Sequence, residues 1–252
     1  MLDKVKTHLL ITGCVRSGTT AVAEFLSMSD SIIIPAEFAF YSEWEDPNNY
    51  MRIYTMMRAL VNNRIFYYKG IHGYSFTRRL EIEKTTGKQS LEKVIEHCPD
   101  KVTIFGDKLP ITYLNRAEEF LDMFNNLKIL ILIRDGRDVM ESQVRRAKDP
   151  SIFDVFWYRN DISEAEDLWL ASMKKINKLQ NKTDRIMFYK YEDLLTNPSN
   201  FREQMSSFIE TDVKMVESFF KPTQFNWKKT YPNLMNNLSD EFIEQLERYD
   251  YA

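Results

Sequence analysis

Short apolar runs alternate along the chain with stretches in which apolar residues recur every three or four positions. His8-Leu9-Leu10-Ile11-Thr12-Gly13 is a run closed by glycine and predicts a buried strand. Thr20 to Leu26 has helical spacing, and Ser31 to Pro35 reads as a second strand stopped by proline. Lys101 to Phe105 predicts a third strand, followed by a helix around Asn115 to Phe124. Leu127 to Ile133 is nearly continuous in apolar residues, as a central parallel strand requires. Helices are predicted around Arg137 to Lys148 and Ser163 to Asn181, then a strand at Arg185 to Tyr189, then helices beginning near Pro198 and Ser239. Strands alternating with helices imply an α/β fold: a parallel sheet flanked by helices on both faces. No repeat or boundary interrupts the pattern, and 252 residues suit a single domain spanning 1–252.

Composition narrows the function classes. A net charge of −3 argues against a broad nucleic-acid-binding surface while leaving room for a local basic pocket. Two cysteines, Cys14 and Cys98, cannot build a disulfide framework or a thiolate metal site, and no His/Cys/carboxylate cluster suggests a metal. No run approaches the ~20 apolar residues of a membrane span. The apolar run Leu9 to Ile11 is too short for a secretory signal, so a cytoplasmic protein is expected. Aromatic residues crowd the segment from Phe38 to Phe76, including Phe40, Tyr41, Trp44, Tyr50, Tyr54, Phe66 and Tyr74; about Asn48 to Asn63 within it has helical periodicity. Such rings suit an acceptor pocket, and they equally suit ordinary core packing.

The first predicted strand runs into Gly13-Cys14-Val15-Arg16-Ser17-Gly18-Thr19-Thr20. The glycines and Thr20 have the spacing of a nucleotide-triphosphatase P-loop, but Thr19 stands where that loop has its lysine. Backbone N–H groups at a helix start still face an anion, and Arg16, Ser17, Thr19 and Thr20 add donors. Arg16 replaces the missing cation, which points to an anion other than a magnesium-bound triphosphate. Gly and Thr are also common simply as turn and cap residues.

A second motif, Arg134-Asp135-Gly136-Arg137-Asp138-Val139-Met140-Glu141-Ser142, follows the strongest strand. A P-loop kinase would end that strand in a magnesium-holding Asp. Arg134 is instead a phosphate-fork residue, and Ser142 lies about two helical turns on, close enough to return to the same edge. The alternative is an arginine paired with Asp135 or Asp138 at the surface and Ser142 as helix filler; it suits Arg137 and is weaker for Arg134, a cation at the end of a buried strand.

The two motifs together resemble the sulfotransferases that use 3′-phosphoadenosine 5′-phosphosulfate (PAPS). Val15-Arg16-Ser17-Gly18-Thr19-Thr20 is similar to that family's Pro-Lys/Arg-Ser-Gly-Thr-Thr loop, which binds the 5′-phosphosulfate. Arg134 and Ser142 have the separation of its 3′-phosphate pair. Phe105-Gly106-Asp107-Lys108-Leu109-Pro110 and Tyr189-Lys190-Tyr191-Glu192-Asp193-Leu194 follow in family order. So does Trp227-Lys228-Lys229. The resemblance places Tyr191 near the adenine and Lys228 and Lys229 at the donor. Departures point away from the cytosolic aryl and steroid branch, towards bacterial, carbohydrate and tyrosylprotein relatives. Ala21 stands where that branch often has Trp, Lys108 replaces its catalytic His, and Lys228-Lys229 lacks its glycines.

The resemblance implies sulfuryl transfer from PAPS, leaving adenosine 3′,5′-bisphosphate, to a carbohydrate, lipid, peptide or small alcohol. No metal is implied. Arg16 and the loop N–H groups are expected to meet the charge of the transferring group. Lys108 is either a second such cation or a strand-end lysine facing solvent. Glu37, after the second strand, is the favoured base, with an exposed loop glutamate as the alternative; His72 is the second candidate. His8 and His97 have no supporting context. A metabolite kinase and a non-catalytic module binding PAPS or its product are the competing functions.

Overall fold

The computed structural model describes residues 2–35, 37, 40–41, 91–92, 95–96, 98–149, 158–214 and 226–251. Its frame is a five-stranded sheet in the order β2-β3-β1-β4-β5, every neighbouring pair parallel. The strands are β1 (Thr7–Gly13), β2 (Ile32–Ile33), β3 (Ile104–Lys108), β4 (Leu127–Ile133) and β5 (Ile186–Lys190). The helices are α1 (Thr19–Leu26), α2 (Thr112–Asn115), α3 (Ala117–Met123), α4 (Gly136–Ala147), α5 (Ile162–Leu179), α6 (Tyr191–Thr196), α7 (Pro198–Ile209), α8 (Asn226–Thr230) and α9 (Asp240–Arg248).

Side-chain alternation along the strands builds two cores. Leu9, Ile11, Ile104, Leu130 and Leu132 point to one face and pack with Phe25 and Leu26 of α1 and Phe201 and Met205 of α7. Leu10, Phe105, Ile129, Ile131 and Ile133 point to the other, against Trp169 and Ile176 of α5 and Phe242 of α9. The strands are therefore apolar on both faces, which is why β1 and β4 read as continuous runs rather than alternating ones. Asp135, Asp161, Asn197 and Ser239 cap α4, α5, α7 and α9 through side-chain oxygens, each contributing ~1 kcal/mol.

The structure moves some expected boundaries. β2 is short because the Ile34 N–H turns to Ser27 Oγ (3.1 Å) instead of a neighbouring strand. β3 continues through two polar residues, Asp107 and Lys108, which are buried because each has partners. The helix expected around Asn115 to Phe124 divides at Arg116, whose φ of −114° leaves the helical range. Among the described residues no helix is long and apolar enough to cross a membrane, and no group of three His, Cys, Asp or Glu could hold a metal.

Candidate active site

The strand order reverses at β1, between β3 and β4, so the carboxyl ends of these three strands frame the crevice where open α/β sheets place ligands. The loop from Cys14 to Gly18 leaves β1 there, and Arg134 leaves β4 beside it. Arg16 takes a positive φ of 75°, rare for a residue with a side chain. Its Nε donates to Ser142 Oγ at 2.9 Å. Arg134 Nη1 donates to the Arg16 carbonyl at 3.0 Å, and its guanidinium stacks 4.9 Å from the centre of the Tyr191 ring. Asp138 balances Arg134 at 3.8 Å, and Trp169 Nε1 fixes the Arg134 carbonyl at 3.2 Å. Two motifs 118 residues apart are thus one hydrogen-bonded unit.

The cradle has unmet capacity. Ser17 Oγ is buried without a hydrogen-bond partner. Gly18, at φ 89°, is the N-cap of α1 and has no side chain to cap the first helical N–H groups. A Cβ there would stand 2.3 Å from Tyr191 Cε2, so the ring lies directly on the loop. Thr19 is buried and Thr20 half-buried at the helix start. Burial draws the Arg16 pKa down, and the nearby charges of Arg146, Arg134 and Arg145 draw it further. A guanidinium stays protonated, so this crowding favours a bound anion. The Tyr158 ring lies 5.9 Å from Arg16.

The second group forms at the end of β3. Lys108 is wholly buried, which removes the solvent-facing alternative, and its Nζ bonds Glu37 Oε1. The Glu37 N–H donates to the Lys108 carbonyl at 2.8 Å, and the Lys108 N–H to the Pro35 carbonyl at 3.2 Å. Glu37 also has a positive φ, 63°. The chain after Lys108 crosses to β1: Leu109 N–H donates to Ile11 O at 3.2 Å and Ile111 N–H to Gly13 O at 3.0 Å. These bonds bring the Lys108–Glu37 pair beside the loop.

A buried polar chain under this pair escaped the sequence reading. Asp107 accepts from Tyr113 Oη at 2.5 Å and from the Phe40 N–H at 3.2 Å, and Tyr113 Oη accepts from the Tyr41 N–H at 3.4 Å. His8 Nδ1 pairs with Tyr41 Oη at 2.7 Å. Burial pushes the His8 pKa down to about 4 and both tyrosines well above their ordinary value. An aspartate inside a buried strand is the one local signal for this network. Phe40 and Tyr41 are core residues here; the remaining aromatic stretch, His72 and His97 lie outside the described residues.

Lys228 and Lys229 are exposed on α8, which docks on α4 through the Trp227 N–H and Asp138 Oδ1 (3.4 Å). Lys228 Nζ lies 5.6 Å from the centre of the Trp227 ring. Arg137 is held by Asp135 at 2.7 Å and stacks 4.7 Å from the Trp227 ring, so its ion-pair reading is correct. Cys14 is buried with its pKa pushed up to about 12, which keeps it a thiol and no nucleophile at neutral pH.

Residues 9–214 match the model of the sulfotransferase family. The comparison with curated proteins found no match. Among solved structures, the sulfotransferase domain from the Synechococcus PCC 7002 olefin synthase superposes with a TM-score of 0.68 at 18% identity, covering 98% of this chain and 96% of that one. The sulfotransferase domain from the curacin biosynthetic pathway gives the same TM-score, 0.68, and identity, 18%, covering 98% and 99%. A sulfotransferase from Alicyclobacillus acidocaldarius reaches 0.54 at 12% identity, covering 96% of each chain. At these identities the likeness establishes the fold.

Proposed function

The chain belongs to the sulfotransferase family, and we propose that it transfers a sulfuryl group from PAPS to a hydroxyl or amine of its acceptor. The observation that carries the donor assignment is the pair of bonds joining Arg16 to Ser142 and Arg134 to the Arg16 carbonyl. They make one anion site from a loop suited to a 5′-phosphosulfate and a fork suited to a 3′-phosphate. The cradle fits such a donor: Ser17 Oγ and the uncapped N–H groups of α1 need acceptors, and the arginines need negative charge. Tyr191 lies between loop and fork, where an adenine edge can stack, and Lys228 and Lys229, exposed on the helix that docks on α4, are the remaining cations assigned to the donor. A magnesium-dependent kinase is disfavoured, because Thr19 and Arg134 occupy the places of its lysine and its metal-binding aspartate.

When bound, the donor supplies a sulfur whose bond to the leaving phosphate oxygen breaks as a bond to the acceptor oxygen forms. The residues of the chain do the rest. Arg16, Ser17 and the loop amides hold the anionic end. Glu37 takes the hydroxyl proton, and Lys108 sets its position through their ion pair. Asp107, by bonding the Phe40 N–H, ties down the segment that carries Glu37.

The test is release of adenosine 3′,5′-bisphosphate from PAPS in the presence of phenol, sugar, lipid and tyrosyl-peptide acceptors. Acceptor-dependent release is expected, and Glu37→Gln should abolish it while still binding the bisphosphate. Tight binding with no release for any acceptor supports a non-catalytic module instead.

A further inference from the structure

The proposed donor site uses Tyr191 of the segment Tyr189 to Leu194, and its neighbour Glu192 has no part in it. Glu192 is half-buried at the start of α6, and both of its carboxylate oxygens are engaged. Oε1 accepts the Asp135 N–H at 3.1 Å, and Oε2 accepts from Tyr251 Oη at 2.7 Å. Burial raises the Glu192 pKa, and these two donors, with the charge of Arg134, offset part of that rise.

Tyr251 is seated in turn. Its N–H donates to the Leu246 carbonyl at 2.8 Å, its own carbonyl accepts from Arg137 Nη2, and Lys190 Nζ lies 4.6 Å from the centre of its ring. Lys190 Nζ also donates to the Tyr249 carbonyl at 2.7 Å. Arg137 holds the Asp135 carboxylate through Nε at 2.9 Å and Nη2 at 2.7 Å. Asp135, Arg137, Tyr251 and Glu192 thus close a circuit of hydrogen bonds. Its members come from the turn into α4, the start of α6 and the segment after α9.

This circuit holds one peptide unit in particular. The Arg134 carbonyl and the Asp135 N–H belong to the same plane. Trp169 Nε1 donates to that carbonyl at 3.2 Å, and Glu192 accepts from that N–H at 3.1 Å. A peptide unit is rigid and planar, so anchoring both of its polar groups resists rotation about the bonds that flank it. The direction in which the Arg134 side chain leaves the backbone is thereby set. Tyr191, whose ring the Arg134 guanidinium faces at 4.9 Å, is the residue joined to Glu192. One carboxylate therefore ties the backbone of the phosphate fork to that of the ring beneath it.

Resting on the PAPS reading of the site, we infer that Glu192 and Tyr251 are positioning residues for the 3′-phosphate. They hold Arg134 in the place, relative to Tyr191, that a nucleotide carrying this phosphate requires, and so set the preference for PAPS over nucleotides without it. Neither residue touches the donor; both act through Arg134. A fork must be held to within about 0.5 Å to keep its geometry, and locked neighbours of this kind supply that precision.

Dissociation constants for adenosine 3′,5′-bisphosphate and 5′-AMP are measured by calorimetry on the full chain, with melting followed beside them. Tyr251→Phe, which keeps the aromatic ring and removes only the hydroxyl, is expected to weaken the bisphosphate by roughly three- to tenfold and to leave 5′-AMP within about twofold. Glu192→Leu should do the same; if it fails to fold, Tyr251→Phe decides alone. Glu192→Gln should stay close to wild type for both nucleotides, since its amide accepts from the Asp135 N–H and donates to Tyr251 Oη. In an Arg134→Ala background Tyr251→Phe should have no further effect.

The inference is overturned if Tyr251→Phe weakens both nucleotides equally, as a merely structural role would, or weakens neither. It is also overturned if the Tyr251→Phe and Arg134→Ala losses add, or if Glu192→Gln loses as much as Glu192→Leu, because charge rather than position would then be at work. In each of these cases a wild type that prefers the bisphosphate keeps its donor assignment. A wild type that binds the bisphosphate no better than 5′-AMP removes the donor assignment itself, and this inference with it.

Discussion

At Gly18 a left-handed backbone and the Tyr191 ring leave no space for a side chain. Gly18→Ala is expected to cost roughly 1–3 kcal/mol and to weaken bisphosphate binding, measured by melting and calorimetry. Adding Tyr191→Ala relieves the clash but not the φ, so stability should recover only in part. At Lys108, replacement by Met removes the ion-pair partner of the largely buried Glu37 carboxylate, and a loss of about 3–5 kcal/mol is expected in chemical denaturation. His8 gives a pH signature. Its folded-state pKa of about 4 lies below the ordinary 6.5, so the unfolded chain binds the extra proton between those values. Stability should be full above pH 6.5 and fall by up to about 3 kcal/mol as the pH drops towards 4; His8→Gln should flatten that slope in melts across the range. Arg16, Arg134 and Ser142 were legible in the sequence because their spacing within a loop and one helix is local. The His8–Tyr41–Tyr113–Asp107 chain was not, because Tyr41 meets His8, 33 residues away, and Tyr113, 72 residues away, only through the fold.

The elements with a clear period, β1, β4, α4, α5 and α7, match their sequence assignments within about two residues. β3 shifted because burial of Asp107 and Lys108 depends on Phe40 and Glu37, 67 and 71 residues away, as well as on Tyr113 six residues on. α5 links packing to the site: Trp169 packs 4.5 Å from Phe242, centre to centre, and bonds the Arg134 carbonyl. Trp169→Phe is expected to keep most of the packing but lose that bond. Bisphosphate affinity should then fall several-fold with only about 1 kcal/mol of stability lost, whereas Trp169→Ala should cost about 3–5 kcal/mol. Equal affinity in Trp169→Phe and wild type would separate α5 from the site.

For the molecule as a whole, alternating strands and helices made the parallel, two-faced architecture legible, while the order β2-β3-β1-β4-β5 was not, because hydrophobic period carries no pairing information. That order creates the crevice in which Arg16, Arg134 and Ser142 meet, so the proposed donor site belongs to the assembled sheet edge rather than to either motif alone. The most direct test is thermal stabilisation by adenosine 3′,5′-bisphosphate, beside 5′-AMP and magnesium-ATP, in wild type and Arg134→Ala. At a hundredfold excess over its dissociation constant the bisphosphate should stabilise the wild type by ~2.7 kcal/mol, the other two far less, and Arg134→Ala should lose the effect. Equal or better stabilisation by magnesium-ATP, or an undiminished effect in Arg134→Ala, would contradict a site built for a 3′-phosphate.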